Sequence, residues 1–349
     1  MTHEELLRRR WTAARLKAET CSPEEVVSSL AAVQAQDLPS ALTAVAIRGP
    51  GRTAEVRAAL DGGTLVRTHI LRPTWHLLAA PDLRWMMKLT GPRIARSAGG
   101  RYRELGLTPE MRSLSRRLLE AALAEGPQTR AELKRVLTEG GVPTAGQALV
   151  FCLMDAELEL LLCNGPRQGS ETAYDLLDRR VPVSSSLAPD EAASLLARRY
   201  ISGHGPATDR DFSWWSGLPL TEARKALESS RGPQLATDEF DGSTMWFDPR
   251  QEPLAPSPFV WLPAYDEYVI AFADRTTVLA QADQARAVST NGIFYPVILV
   301  RGMVAGTWRA TQKKNVWTVE PRWFGPPPNG AEAARKLWEA ALQELRSRD

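Results

Sequence analysis

The sequence predicts an α+β protein in which three tandem helix-then-hairpin units precede a small β-barrel or curled sheet. Two observations carry this. Helical apolar spacing gives way to alternating, β-branched segments three times in succession, and from Pro253 the composition shifts to prolines and alternating strands. At 349 residues the chain also exceeds what one hydrophobic core usually spans.

The first unit, residues 1–110, is irregular. HEELLRRRWTAARL has apolar residues at helical spacing. SPEEVVSSLAAVQ opens with Ser22 as a cap, Pro23 in the first turn and two glutamates after it, a strong helix start. Asp37 caps the next helix, with Pro39 in its first turn, and RTAEVRAALDGG closes on Gly62-Gly63. TLVRTHILRPTWHLLAA alternates and reads as two strands broken near Arg72-Pro73.

The second unit, residues 111–185, repeats the logic more cleanly. SLSRRLLEAALAEG, TRAELKRVLTEGG and TAGQALVFCLMDAELE are three helices, and ELLLCNGPRQGSETAYDLL is a strand, a Gly/Pro turn and a strand. Three helices followed by a hairpin is the pattern of a winged helix, whose third helix can lie in a DNA major groove while the hairpin touches the backbone. The third unit, residues 186–252, has helices in PDEAASLLARRYISGHG, TDRDFSWWSG and LPLTEARKALESS, then two strands around Asp241-Gly242. Residues 253–349 form the last block. EPLAPSPFVWLPAYDEYVIAF carries several prolines, with PAYDEY in a strand-like context, FYPVILVRGMVAGTW and VWTVEPRWF alternate, Asn291-Gly292 is a turn signal, and AEAARKLWEAALQELR is an amphipathic closing helix.

Composition narrows the function classes. No apolar run is long enough to span a membrane, and MTHEELLRRRW lacks the apolar stretch of a secretory signal. Cys21, Cys152 and Cys163 lie far apart with no CxxC pair, which fits free thiols in a reducing cytoplasm. Net charge is +2, but residues 1–120 hold 19 Lys+Arg against 12 Asp+Glu, and only seven of the 43 basic residues are lysine. Arginine richness by itself fits a GC-rich genome; the asymmetry favours an anionic partner for the first part of the chain.

Gln34 and Gln36 in VQAQD are the candidate chemistry. Residues two apart on a helix diverge, so the amides converge on one cleft only if the chain leaves the helix at the Asp37-Leu38-Pro39 break. Two glutamines at a helix end otherwise read as solvated caps. Glutamine has no useful pKa, yet it can hold a water or steady a developing positive charge through its carbonyl oxygen. That suffices only for a bond already weak, such as the N-glycosidic bond to an N-alkylated, cationic purine.

Other candidates carry less. His69 and His76 have no cysteine or carboxylate cluster beside them, so no metal site is expected, and a satisfied, partly buried histidine is the default. Arg67, Arg72, Trp75 and His76, followed by Arg93, Arg96, Arg101 and Arg103, read either as a hairpin surface or as contacts to a DNA backbone, and DNA contact is the preferred reading. Trp214-Trp215 read as core. Asp266 and Glu267 in PAYDEY would point to opposite faces of a strand, which favours structural hydrogen bonding over glycosidase chemistry. SWWSG and the serine run 184–186 lack GxSxG context, and no phosphate or dinucleotide fingerprint appears.

VQAQD, RTHILRPTWHLLA, GPATDRDFSWWSGL, LPAYDEYVIAFADR and NGIFYPVILVRGMVAGTW, in this order, resemble the winged-helix DNA-binding-domain proteins that include the AlkZ- and YcaQ-type DNA glycosylases. The likeness covers nearly the whole chain. It implies three tandem winged-helix units and a C-terminal β-barrel around a concave basic DNA-binding surface. It implies hydrolysis of N-glycosidic bonds at N7-alkylated purines, including unhooking of interstrand crosslinks. The implied partner is double-stranded DNA containing alkylated or crosslinked purines, met by a monomer without cofactor or metal. The family's signature of glutamine, an apolar residue, then glutamine or aspartate matches Gln34-Ala35-Gln36. The second glutamine resembles the AlkZ branch, associated with self-resistance to DNA-alkylating antibiotics. Asp37 stands one residue too late for the aspartate position. The family also probes DNA with a C-terminal hairpin, for which Arg301–Arg309, with Arg301 and Arg309 as contacts, is the candidate. The rival readings are a non-enzymatic winged-helix transcriptional regulator and, behind it, a protein-interaction scaffold.

Overall fold

Side-chain caps from Thr2, Ser22, Asp37, Thr108, Thr129, Thr208 and Asp266 set seven helix starts, where the sequence signals translate directly into elements. The computed structural model describes residues 1–16, 21–49, 51–183, 187–314 and 316–346; the serine run 184–186 lies outside them. Helix α1 (His3–Ala13) begins on Thr2, and α2 (Pro23–Ser29) on a complete Ser22/Glu25 capping box. The short strand β1 (Val33–Gln34) follows, then α3 (Leu38–Ala46), capped by Asp37, and α4 (Thr53–Gly62). Strands β2 (Leu65–Ile70) and β3 (Thr74–Ala79) pair antiparallel from Leu65↔Ala79 to Ile70↔Thr74, with Leu71 left-handed at φ 64° in the turn. The next stretch, to which the sequence assigned no element, is the long helix α5 (Ala80–Ser97) and the short α6 (Gly99–Glu104).

Helices α7 (Pro109–Ala124), α8 (Arg130–Glu139) and α9 (Ala148–Leu158) match the three expected helices. The strands around them are β4 (Gln128–Thr129), β5 (Leu162–Asn164) and β6 (Ala173–Leu176), in the order β4-β6-β5, before α10 (Leu177–Arg180). A third helical set follows: α11 (Pro189–His204), α12 (Asp209–Ser216), ended by left-handed Gly217, and α13 (Leu220–Ser229). Its hairpin is β7 (Ala236–Phe240) and β8 (Ser243–Phe247), turned by Asp241-Gly242 with both φ positive.

The last block carries two corrections. PAYDEY is not strand: β9 (Phe259–Leu262) stops before it, and Asp266 caps the four-residue helix α14 (Glu267–Ile270) by accepting from Tyr268 N. After α15 (Gln284–Ala287) come β10 (Val297–Val300), β11 (Met303–Lys313), β12 (Val316–Trp323) and α16 (Ala331–Leu345). Among the described residues these strands form a four-stranded antiparallel sheet in the order β12-β11-β10-β9, not a closed barrel. The reason is α16, which packs on β9 and β12. Its Glu339 and Gln343 side chains accept from the Val319 and Trp317 backbone N–H groups, satisfying edge donors that barrel closure would otherwise pair.

The chain divides into two compact units, Met1–Arg57 with Ala193–Asp349, and Ala58–Ala192. The core of the first joins Leu7 and Trp11 of α1 to Leu262, Tyr268, Val269 and Leu299. The core of the second joins Ile94 and Tyr102 to Leu119, Leu133, Leu149 and Leu153. The basic excess of residues 1–120 does not follow this division, since Ala58–Ala192 holds 17 Lys+Arg against 16 Asp+Glu.

Candidate active site

The two glutamines do not sit at a helix C-terminus. Helix α2 ends at Ser29, four residues before Val33, because Ser29 Oγ turns back onto Val26 O at 2.7 Å and Ala31 is left-handed at φ 60°. Leu30, Ala31, Ala32 and Val33 are all at most 1% exposed, so the apolar run is buried on every side rather than along one helical face. In extended backbone, residues two apart share a face, and here the pair is linked directly: Gln36 N donates to Gln34 Oε1 at 2.8 Å. The amides nevertheless differ in access. Gln34 is 4% exposed, whereas Gln36 is exposed and its carboxamide has no hydrogen-bond partner among the described residues. An open cleft faced by both side chains is therefore not what the fold provides; one amide is buried and bonded, the other presented.

The segment is braced from far along the chain. Gln34 N donates to Glu267 Oε1 at 2.7 Å. Glu267 is 2% exposed, and its Oε2 accepts from Trp215 Nε1 at 3.1 Å and lies 3.3 Å from His204 Nε2. The neighbouring Asp266 forms a two-pronged pair with Arg48 at 2.7 and 2.8 Å. Both carboxylates thus make structural hydrogen bonds, as their adjacency predicts, although a helix cap rather than a strand sets their divergence. Trp215 is core, 0% exposed, while Trp214 is 42% exposed with its indole N–H toward Ile270 O at 3.4 Å. Sequence spacing singled out the glutamines but missed Glu267, His204 and Trp215 as their supports. The available signal was polar residues, in HGP, SWWSG and PAYDEY, inside otherwise apolar surroundings.

The other sequence candidates fall in two places. Arg67, Arg72, Trp75 and His76 lie on or between β2 and β3. The Arg67 guanidinium stacks 3.7 Å over the Trp75 ring, and Trp75 Nε1 donates to His69 Nε2, whose other ring nitrogen lies 2.5 Å from Glu157 Oε2. Because Nε2 accepts, the ring proton sits on Nδ1 facing Glu157, a satisfied histidine as the default reading holds. His76 is 0% exposed, so this structure does not present it to a ligand; pairing with Thr68 sets its side chain on the inward face of β3. Arg93 is half-buried, while Arg96, Arg101 and Arg103 are exposed. Arg101 is occupied by Glu104 at 2.6 Å and Gln147 at 2.8 Å, whereas Arg96 and Arg103 make no ion pair among the described residues.

Arg301 forms the tight β10–β11 turn with Gly302, and Arg309 projects from β11 opposite Glu320. The far end of the longer β11–β12 hairpin, with exposed Lys313, Lys314 and a 62% exposed Val316, escaped the sequence reading.

Among the described residues no group of three or more His, Cys, Asp or Glu is placed to hold a metal. No helix among them is long and apolar enough to cross a membrane. The cysteines are free, and burial pushes the Cys163 thiol up to about 12 and raises Cys152, so neither offers a thiolate nucleophile.

Residues 27–347 match the family model described as DNA glycosylase AlkZ-like. The chain belongs to that family. This AlkZ-like protein is accordingly a DNA glycosylase, an enzyme that cleaves N-glycosyl bonds, and the regulator reading gives way. A curated relative, the interstrand DNA cross-link repair glycosylase of Streptomyces sahachiroi, is 28% identical over 334 residues, 86% of this chain and 85% of that protein. The solved structure of the Streptomyces sahachiroi DNA glycosylase AlkZ superposes with a TM-score of 0.79 at 22% identity, covering 99% of this chain and 98% of the other, which shows the shared mixed α/β fold.

Proposed function

We propose that this glycosylase hydrolyses the N-glycosidic bond of N7-alkylated purines in double-stranded DNA, unhooking interstrand crosslinks as self-resistance to a DNA-alkylating antibiotic. The observation that carries the reading is the asymmetry of the Gln34-Ala35-Gln36 segment. One carboxamide is buried and hydrogen-bonded, the other is presented, and among the described residues no His or carboxylate is bonded to either side chain. Such a site suits a leaving group that activates itself. The cationic purine takes the C1′–N9 electron pair and departs neutral. Gln36 orients the water that bonds to C1′ and releases its proton to solvent. Gln34, buried behind it, adds the field of its carbonyl oxygen, which keeps a lone pair after accepting from Gln36 N, to steady the positive charge developing on the sugar.

Residues 1–110, 111–185 and 186–252 act on this reading as winged-helix units of a monomer with a basic DNA-binding surface, and 253–349 as the C-terminal block. The exposed arginines and the lysine-tipped β11–β12 hairpin supply backbone contacts and the probing element. The cross-link repair named for the curated relative supports a crosslinked substrate.

Duplex DNA carrying N7-methylguanine, incubated with the protein and then treated with alkali, is expected to break at the lesion. Gln36→Ala and Gln34→Ala are expected to abolish the breaks while DNA binding persists; cleavage by both at the wild-type rate refutes the assignment. A crosslinked duplex is expected to return to single-strand mobility on a denaturing gel.

A further inference from the structure

A reaction that needs no general base has a buried carboxylate one hydrogen bond from its motif. Burying an ionised carboxyl is costly unless its oxygens are bonded, so Glu267 calls for a physical account. Its first oxygen takes the Gln34 N–H, and its second takes the Trp215 indole N–H and faces His204 Nε2. Among the described residues Glu267 reaches the motif through the Gln34 backbone N–H. His204 is fixed in turn. Its Nδ1 lies 3.0 Å from Tyr200 O, and a carbonyl only accepts, so Nδ1 carries a hydrogen, while Nε2 lies 3.3 Å from Glu267 Oε2 without completing a hydrogen bond. His204 also ends α11, where the helix dipole favours positive charge, and its ring stacks on Tyr200 at 4.9 Å.

The bonds run in series. Glu267 Oε1 fixes the backbone of Gln34 at 2.7 Å, and Gln34 Oε1 fixes the backbone of Gln36 at 2.8 Å. Displacing the first bond therefore displaces the exposed amide, although Glu267 itself is 2% exposed. Three elements converge to make this hold: the end of α11, Trp215 of α12 and the first residue of α14.

We infer that Glu267, held by Trp215 and packed beside His204, is the positioning residue of the reaction, setting the Gln34–Gln36 geometry and hence the rate of bond cleavage but not DNA affinity. This rests on the glutamine reading above.

The test uses the full chain and N7-methylguanine duplex under single-turnover conditions, with DNA affinity, melting temperature and hydrogen exchange of the 31–37 segment measured in parallel. Glu267→Gln keeps an acceptor for Gln34 N but turns an amide N–H toward the Trp215 indole N–H. Its cleavage rate at saturating DNA is expected to fall at least about tenfold, since small misplacements of reacting groups cost up to roughly a hundredfold. Exchange of the segment is expected to quicken, with DNA affinity unchanged. Adding Trp215→Phe removes the opposing donor, so the new amide N–H no longer meets another N–H. The double variant is expected to recover to within about threefold of Trp215→Phe alone, a rescue that mere loss of stability does not produce.

Trp215→Phe alone keeps the packing and removes one grip; modestly slower cleavage with faster exchange is its expected result. Wild-type cleavage and exchange in both single variants overturns the inference, as does weakened DNA binding at an unchanged rate. Should Gln34→Ala and Gln36→Ala cleave normally, the glutamine reading itself fails; should they be inactive while Glu267→Gln behaves as wild type, only this inference fails.

Discussion

Arg48 shows how much of the site's precision depends on single buried groups. Its guanidinium, 0% exposed, donates to Ala14 O, Ala44 O and both Asp266 oxygens. Asp266 in turn caps the helix that begins with Glu267. Arg48→Met leaves Asp266 buried without its partner, which costs about 3–5 kcal/mol. Urea unfolding is expected to show stability lowered by that amount, as a lower midpoint at an unchanged slope. Arg48→Lys is expected to recover only part of the loss, because an ammonium cannot form the fork. At this scale the sequence made Gln34 and Gln36 visible, since two amides before an Asp-Leu-Pro break are chemically odd. Their supports were not visible: the bond from Gln34 N to Glu267 spans 233 residues, and no local pattern encodes it.

Among the elements, α11 has a constraint that its apolar spacing does not announce. A Cβ on Gly203 would lie 2.6 Å from Ser29 O and 2.9 Å from Leu30 Cα, both backbone atoms. The helix therefore passes tightly over the point where α2 releases the chain toward Gln34. Gly203→Ala forces that approach apart. A cost of about 1–3 kcal/mol is expected from overpacking, despite alanine's better helix propensity. Thermal melting and the cleavage rate are expected to fall together, because His204 follows at once; an unchanged melting temperature contradicts the close approach. Elements with local signals were legible, including the capped helices and the Asp241-Gly242 hairpin. Two others were not, for one reason. SPEEVVSSLAAVQ continues in helical spacing past the true end at Ser29, and VILVRGMVAGTW alternates as a barrel strand would. In each case distant groups decide: the all-round burial of residues 30–33, and the α16 side chains on the β12 edge.

For the whole molecule, charge is the property that sequence order misplaced. The excess in residues 1–120 dissolves once the chain is divided as it folds, so attraction to DNA has to come from particular exposed arginines rather than from one basic unit. Arg96 and Arg103 are the strongest such candidates in Ala58–Ala192, exposed and outside any ion pair among the described residues, whereas Gln34 and Gln36 belong to the other unit. Binding and chemistry are then separable by mutation. Each phosphate contact contributes roughly 0.9 to the slope of log affinity against log salt. Arg96→Ala with Arg103→Ala is expected to flatten that slope by about two such contacts and to weaken binding at about 50 mM salt far more than at about 200 mM. At saturating DNA the double variant is expected to cleave at the wild-type rate, the reverse of Gln36→Ala, which keeps affinity and loses cleavage. Titrations of lesion-bearing duplex over that salt range, paired with single-turnover rates, separate the two effects. A wild-type slope in the arginine variant removes those residues from the DNA contact, because an arginine that neutralises a phosphate cannot be lost without retaining counterions on the DNA.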